Sequence, residues 1–150
     1  MIDLNIYLNQ LQAHLKTGEA REHTYRPALI SLFESFNNIQ AANDQARTAH
    51  GATDFVYRSK TNLDIVLGYG EAKDINVSLD KTEKTEQLER YSGYNNLLLT
   101  NGIEFRFYKN GKKYSEVEIA KLNQLNLAPI PENFEILTDE LTNFFAQDPE

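Results

Sequence analysis

The spacing of apolar positions along the chain predicts two helices near the N-terminus. In residues 2–16, apolar side chains recur three or four positions apart, the period of an amphipathic helix: Leu4, Tyr7, Leu8, Leu11 and Leu15. A second helix is predicted from about Glu22 to Asn37, with Pro27 near its first turn, where proline is tolerated. Residues 38–52 are small and polar, which predicts a loop or the frayed end of that helix.

The middle of the chain changes to strand patterns. The segments "TDFVYR" (53–58) and "LDIVLGYGEAKD" (63–74) predict a hairpin, because both are rich in β-forming residues and turn residues separate them. In the second segment we expect the apolar half to be a buried strand that anchors the charged half. Residues 95–102 and 103–111 predict a further strand, turn and strand.

Helical patterns return between and after these strands. The polar segment 81–94 predicts a surface helix, and two more helices are predicted near 115–124 and 132–146. This order of elements predicts an α/β fold with a mixed central β-sheet flanked by α-helices. A length of 150 residues fits a single domain, with a core at about 15–125 followed by an acidic C-terminal helix.

Composition indicates where in the cell the protein works but does not decide whether it binds nucleic acid. The chain has no cysteine, no signal-peptide pattern and no apolar run of the roughly 20 residues that span a bilayer, so we expect a cytoplasmic protein without a membrane partner. The net charge of −7 argues at first against a nucleic-acid partner. Residues 131–150, however, hold six acidic residues and no basic one, which leaves 1–130 with 15 basic and 16 acidic residues. Charge therefore does not exclude DNA.

Three charged residues fall at the ends of the predicted hairpin. Asp54 opens the first strand, while Glu71 and Lys73 close the second, two positions apart and therefore on one face. The intervening residues, 55–70, are enough for a hairpin that brings Glu71 back to Asp54. Two converging carboxylates suit a hard cation such as Mg²⁺, and a lysine beside them suits a reaction that builds negative charge on a phosphate.

A purely structural explanation of the same residues stays open. Glu71 and Lys73 can cap a sheet edge and Asp54 can be a turn residue, because a lone Glu-x-Lys triplet is common in proteins. Gly68 and Gly70 alternate along the strand, where they either admit DNA or another backbone closely or mark a bulge. The preceding strand, the upstream aspartate and the helix that follows favour the catalytic interpretation.

The segments "TDFVYR", "GYGEAKD" and "EQLERY" resemble the core of the PD-(D/E)XK nuclease superfamily. The three motif positions hold Asp54, Glu71 and Lys73, and the Q-x-x-x-Y motif of several branches is matched by Gln87 and Tyr91. Together with "GEAREHTYRPAL" and "NNLLLTNGIEFRFYKNG", these segments resemble the N-terminal nuclease domain of large single-chain restriction–modification enzymes of type I SP or type IIG-like organisation.

The resemblance implies a restriction-endonuclease-like core and a role for each matched residue. Asp54, Glu71 and the Ala72 carbonyl oxygen would hold Mg²⁺, for which Mn²⁺ can substitute, and Lys73 would be the catalytic lysine. Further residues implied to join or support the catalytic site are Glu22, Gln87 and Tyr91. Thr53 replaces the proline of the motif, which removes a backbone constraint but no ligand.

The function that this resemblance implies is Mg²⁺-dependent hydrolysis of phosphodiester bonds in double-stranded DNA. Because the chain contains no methyltransferase motif, we expect it to be a fragment that methyltransferase and target-recognition modules follow, with a transient dimer for double-strand cleavage; a free-standing relative of such a domain is the other possibility. The alternative is a catalytically silent nuclease-like module that binds DNA or protein. Candidate DNA contacts, which can equally pair with neighbouring acids or solubilise a turn, are Arg21, Arg26, Lys109, Lys112 and Lys113.

Overall fold

A six-stranded mixed β-sheet forms the centre of the computed structural model, which describes residues 3–18, 21–43, 53–85, 89 and 93–149, without the side chains of residues 22 and 43. The strands lie side by side in chain order: β1 (Ile39–Asn43), β2 (Phe55–Ser59), β3 (Val66–Ala72), β4 (Asn96–Thr100), β5 (Glu104–Lys109) and β6 (Lys112–Glu118). Neighbouring strands run antiparallel except β3 and β4, which are parallel. The parallel pair brings the C-terminal ends of β3 and β4 to the same end of the sheet.

Helices and a small hairpin complete the described part of the chain. The helices are α1 (Leu4–Lys16), α2 (Glu22–Glu34), α3 (Leu79–Thr82) and α4 (Phe134–Phe145), and a 3₁₀ turn (Pro131–Asn133) leads into α4. The hairpin is formed by β7 (Ala120–Asn123) and β8 (Asn126–Pro129). Among the helices that the structure describes, none has the length and apolarity needed to cross a membrane.

One face of the sheet packs against α1, α2 and α4 around a cluster of buried aromatic rings. The predicted apolar stripe of α1 is confirmed, since all five of its residues are buried, and the Asp3 carboxylate caps the helix by accepting from the Asn5 amide at 2.7 Å. The Tyr57 ring of β2 contacts Phe33 of α2 and Phe144 of α4, with ring centroids 5.0 and 5.7 Å apart. These helices therefore share one core with the sheet.

The opposite face carries a smaller apolar cluster and a buried arginine. Leu79 of α3 packs there with Tyr94 and with Leu97, Leu99 and Tyr108 of the sheet. On the same face Arg106 of β5 is only 5% exposed and is surrounded by four acidic side chains at 2.7 to 3.3 Å: Asp80, Glu83, Glu104 and Glu116. Because Asp80 and Glu83 belong to α3 and the turn after it, Arg106 ties this segment to the sheet.

Three sequence predictions were wrong in local structure. Residues 39–43, predicted as a loop or the frayed end of a helix, form the edge strand β1, and 44–52 lie outside the described residues. The helix predicted near 115–124 is absent, because this segment forms β6 and β7, and β6 pairs with β5 through a turn in which Asn110 and Gly111 have positive φ. Pro27 lies in the second turn of α2 rather than the first.

The burial of the segment 63–74 is the reverse of the prediction. Leu63, at its start, is 48% exposed and precedes β3, whereas Val66 and Leu67 are only partly buried. The buried half is the later one, where Gly70, Glu71 and Ala72 are all buried. β3 therefore runs into the core toward its charged end, because Gly70 pairs with both β2 and β4, and Glu71 and Ala72 continue the pairing with β4. The small side chain of Ala72 is completely buried.

Candidate active site

The β2–β3 hairpin places Asp54 and Glu71 beside each other. Phe55 pairs with Gly70, so the residue before β2 and the residue after Gly70 face one another across the two strands. The Asp54 amide donates to Glu71 Oε1 at 3.2 Å, and the Ala72 amide donates to Asp54 Oδ2 at 2.8 Å. Each carboxylate is thus held by the backbone of the other strand, which fixes both side chains at the end of the hairpin.

Lys73 directly follows this pair and is held through its main chain. Its amide donates to the Thr100 carbonyl at 2.9 Å, which extends the β3–β4 ladder one residue past β3. The Tyr25 hydroxyl of α2 donates to the Lys73 carbonyl. Since the ladder continues, the two-residue period of a strand places Lys73 on the same face as Glu71. No local sequence pattern indicates the contribution of Tyr25, because it depends on contact between distant segments.

The two carboxylates differ in exposure. Glu71 is 4% exposed, whereas the Asp54 side chain is 20% exposed, so the site opens on the Asp54 side. Arg26 of α2 occupies that opening: its Nη2 lies 3.0 Å from Asp54 Oδ1, and its guanidinium stands 5.7 Å from the centre of the Phe55 ring. Of the two alternatives weighed for Arg26, the structure shows the pairing with a neighbouring acid.

A buried hydroxyl lies behind the two carboxylates. Within the part of the chain that the structure describes, the Tyr57 hydroxyl has no hydrogen-bond partner. Burial raises the pKa of this hydroxyl well above its ordinary value, and the negative charges of Asp54 and Glu71 raise it further. A Cβ on Gly70 would meet the Tyr57 hydroxyl oxygen at 2.1 Å.

The two glycines of β3 therefore accommodate aromatic rings. A Cβ on Gly68 would meet Phe144 at 2.8 Å, as the one on Gly70 would meet Tyr57, and both glycines are buried. The glycines thus admit side chains of the core, and at Gly68 the backbone carbonyl oxygen of Asn96 also lies 3.2 Å from the position of an added Cβ. Sequence reasoning missed Tyr57, although Gly70, directly before the motif glutamate, was a signal for a large neighbour.

Thr53 restores part of the constraint that the motif's proline would provide. Its hydroxyl donates to the Phe55 carbonyl at 2.9 Å, and the side chain is 3% exposed. This bond across two residues fixes the bend that presents Asp54. The replacement of proline by threonine is thus compensated locally.

The donor set at the hairpin end fits a hard divalent cation. Two carboxylates and a neighbouring main-chain carbonyl are the oxygen ligands that Mg²⁺ takes, and one or two protein carboxylates suffice when water and phosphate complete the shell. No group of three or more His, Cys, Asp or Glu side chains suited to a metal occurs among the residues that the structure describes. Asp54 and Glu71 with the Ala72 carbonyl thus remain the candidate ligands.

The positions of three predicted site side chains are not described by the structure. Gln87 and Tyr91 lie outside the described residues, and so does the side chain of Glu22. The backbone of Glu22 begins α2, one helical turn before Arg26, which places it on the helix that contacts the site. Their proposed catalytic roles stay predictions.

The basic hairpin end lies far from the candidate site. Lys109 pairs with Asn96 at the start of β4, whereas the site adjoins Thr100 at its end, a separation of about 14 Å along the strand. Lys109 donates to Gln147 at 2.7 Å, and Lys113 lies 3.3 Å from Glu83 and 3.1 Å from Glu116. Lys112 is exposed at the turn, and Arg21 is exposed just before α2. The three lysines Lys109, Lys112 and Lys113 therefore lie at the opposite end of the sheet from Asp54, Glu71 and Lys73.

Comparison with known proteins gives a likeness of fold. No protein-family model and no curated protein sequence matches the chain. Seven chains of solved structures match; one, from a cryo-electron microscopy structure of a DrdV–DNA complex, superposes with a TM-score of 0.71 at 18% sequence identity. The match covers 95% of this chain but spans only 13% of the DrdV chain. With the mixed sheet and its flanking helices, this likeness confirms the predicted α/β, restriction-endonuclease-like fold.

Proposed function

We propose that the chain is the Mg²⁺-dependent DNA endonuclease module of a restriction–modification enzyme. The observation that carries this proposal is a pair of hydrogen bonds, from the Asp54 amide to the Glu71 carboxylate and from the Ala72 amide to the Asp54 carboxylate. These bonds hold two carboxylates side by side, and Lys73 directly follows Ala72. The likeness to a chain solved in a DNA complex supports DNA as the partner.

In this proposal the chain's own residues divide the work of phosphodiester hydrolysis. Asp54, Glu71 and the Ala72 carbonyl would hold Mg²⁺, which when bound supplies a Lewis acid for the phosphate oxygens. Lys73 orients or deprotonates the attacking water and offsets the charge that builds around phosphorus. As the water oxygen bonds to phosphorus, the bond from phosphorus to O3′ breaks and O3′ takes a proton from solvent water, which leaves a 5′-phosphate and a 3′-hydroxyl. Tyr25 positions Lys73 through its carbonyl.

The proposal extends to the setting of the module. Because the described residues contain no long basic helix or other base-reading element, the module would cut with little sequence preference of its own. Target-recognition and methyltransferase modules of the same enzyme would choose the site, and two copies would meet transiently to cut both strands. The fraction of the DrdV chain that this chain spans is in keeping with a module of a larger enzyme.

A second candidate is a silent nuclease-like module that holds DNA without cutting it. It is favoured by one observation: both oxygens of Asp54 already bond within the protein, one to Arg26 and one to the Ala72 amide. A site satisfied in this way can be stable without metal.

Calorimetric titration with Mn²⁺ separates the two candidates. We expect the wild-type chain to bind one Mn²⁺ and Asp54→Asn and Glu71→Gln to lose that binding, whereas Glu135→Gln, which alters an exposed carboxylate on α4, should bind as wild type does. Absence of binding in the wild type, together with DNA retention in EDTA, would instead support the silent module.

A further inference from the structure

The carboxylate of Asp54 has two partners of different kinds. The Ala72 amide, at 2.8 Å from Oδ2, is part of the sheet backbone and cannot leave without breaking β3. The Arg26 guanidinium, at 3.0 Å from Oδ1, is carried on a long side chain from α2. Only the second partner can be exchanged while the fold stays intact.

The Arg26–Asp54 pair lies at the open side of the site. The two side chains are 23% and 20% exposed, so water and ions reach both, while Glu71 behind them is 4% exposed. The guanidinium stands 5.7 Å from the Phe55 ring centre, which holds it over Asp54 without fixing it as a buried pair would be fixed. A cation that approaches Asp54 from solvent therefore meets Arg26 first.

We propose that Arg26 is the internal counterion of Asp54, that a divalent cation must displace it to bind, and that the displaced guanidinium then binds a DNA phosphate. This inference rests on the proposed function. A guanidinium and a dication compete for the same carboxylate oxygen because both are attracted by its negative charge. The planar guanidinium also matches the oxygens of a phosphate, which is the anion that the proposed reaction brings to this opening.

The exchange makes metal binding and DNA binding depend on each other. Without metal, Arg26 stays on Asp54 and contributes little to DNA affinity. With metal bound, Arg26 is released and adds a phosphate contact, so metal tightens DNA binding and DNA tightens metal binding by the same factor. Arg26 thus has two partners in turn: Asp54 without metal, and a DNA phosphate when metal is bound.

Arg26→Gln tests the inference with two readouts that do not depend on cleavage. Mn²⁺ affinity, measured by calorimetry, should rise about threefold to tenfold, because the cation no longer displaces an ion pair. Affinity for a short DNA duplex, measured by fluorescence anisotropy, should be unchanged in EDTA and fall about threefold to tenfold with Ca²⁺ present, because the released guanidinium is missing. Arg58→Gln is the matched control, since it removes the same charge from β2 where the guanidinium contacts the Leu63 carbonyl instead.

Arg26→Lys separates the contact from the charge. Lysine keeps the positive charge but has no guanidinium fork, so we expect a smaller rise in Mn²⁺ affinity than in Arg26→Gln, and this variant also serves if the glutamine variant does not fold. The inference is overturned if Mn²⁺ affinity in both Arg26 variants equals that of Arg58→Gln, or if Arg26→Gln weakens DNA binding equally with and without metal. If the wild type binds no Mn²⁺ at all, the proposed function fails and the inference with it; if the wild type binds Mn²⁺ and only the Arg26 effect is missing, the inference alone fails.

Discussion

Replacement of Gly70 by alanine is expected to destabilise the fold through one defined clash. The added Cβ would lie 2.1 Å from the Tyr57 hydroxyl oxygen and 2.8 Å from its Cζ, both inside the 3.0 Å that real Cβ contacts respect. The Tyr57 ring cannot move aside, because Phe33, Phe145 and Phe144 surround it with centroid distances of 5.0, 5.4 and 5.7 Å. The clash is therefore between fixed groups.

The magnitude follows from two opposing effects. Overpacking in a well-filled core costs about 1–3 kcal/mol, and a contact this short belongs at the upper end of that range. The lower conformational freedom of alanine in the unfolded chain offsets about 0.4–1 kcal/mol. We therefore expect Gly70→Ala to lower the free energy of unfolding by about 2 kcal/mol, which is a loss of about 4–8 °C in Tm for a domain of this size.

Urea unfolding followed by circular dichroism measures this loss, and Tyr57→Phe is its control. The phenylalanine variant removes the atom at 2.1 Å but keeps Cζ at 2.8 Å, so part of the cost should disappear in the double variant. Alone, Tyr57→Phe should leave stability unchanged or raise it by about 1 kcal/mol, because the hydroxyl has no partner in the described structure. A stability of Gly70→Ala within about 0.5 kcal/mol of wild type, or purely additive effects in the double variant, would refute the reasoning.

Three further predictions concern other parts of the fold. Arg106→Met should lower the free energy of unfolding in urea by about 2–4 kcal/mol, because Glu104 loses its cation and Glu83 keeps only Lys113; a loss below about 1 kcal/mol would contradict the account of this cluster. Tyr25→Phe should lower stability by about 1 kcal/mol and slow DNA cleavage more than Arg58→Gln does, since Lys73 loses the bond to its carbonyl; equal rates would contradict a positioning role. Burial and the charge of Glu140 raise the pKa of Tyr114 to about 12, above its ordinary value near 10. The stability that the neutral Tyr114 side chain contributes is therefore complete below pH 10 and is lost as pH rises toward 12. Urea unfolding at pH 8, 10 and 11 should show this decline, smaller in Tyr114→Phe, and constant stability over that range would contradict it.

The sequence predicted elements well where local pattern and tertiary packing agree. The five apolar positions of α1 are all buried, and the strand predicted within residues 103–111 is confirmed as β5. In residues 115–124 the pattern misled, because Glu, Ala, Lys and Leu favour a helix in isolation. The Asn110–Gly111 turn and pairing with β5 decide that segment instead.

The sequence motif was enough to name the candidate site residues, but not the residues of α2 that contact them. Asp54, Glu71 and Lys73 carry the motif in the sequence, and the hairpin register brings the two acids together. The contacts of Tyr25 and Arg26 depend on how α2 packs across the sheet, which no local pattern encodes. The expected burial of the apolar half of residues 63–74 failed for a related reason, since β3 becomes buried from Gly70 onward, where its pairing with β4 continues through Glu71 and Ala72.

The most direct test of the central claim is cleavage of supercoiled plasmid by purified wild-type and Lys73→Ala protein in Mg²⁺, with EDTA as the metal-free arm. Lys60→Ala, which alters an exposed lysine in the turn after β2, is the matched control, and thermal unfolding checks that all three proteins are folded. We expect the wild type and Lys60→Ala to nick or linearise the plasmid only with Mg²⁺, and Lys73→Ala to be slower by about 100-fold or more. Cleavage by Lys73→Ala at the wild-type rate, or no Mg²⁺-dependent cleavage by the folded wild type, would contradict the proposed endonuclease function.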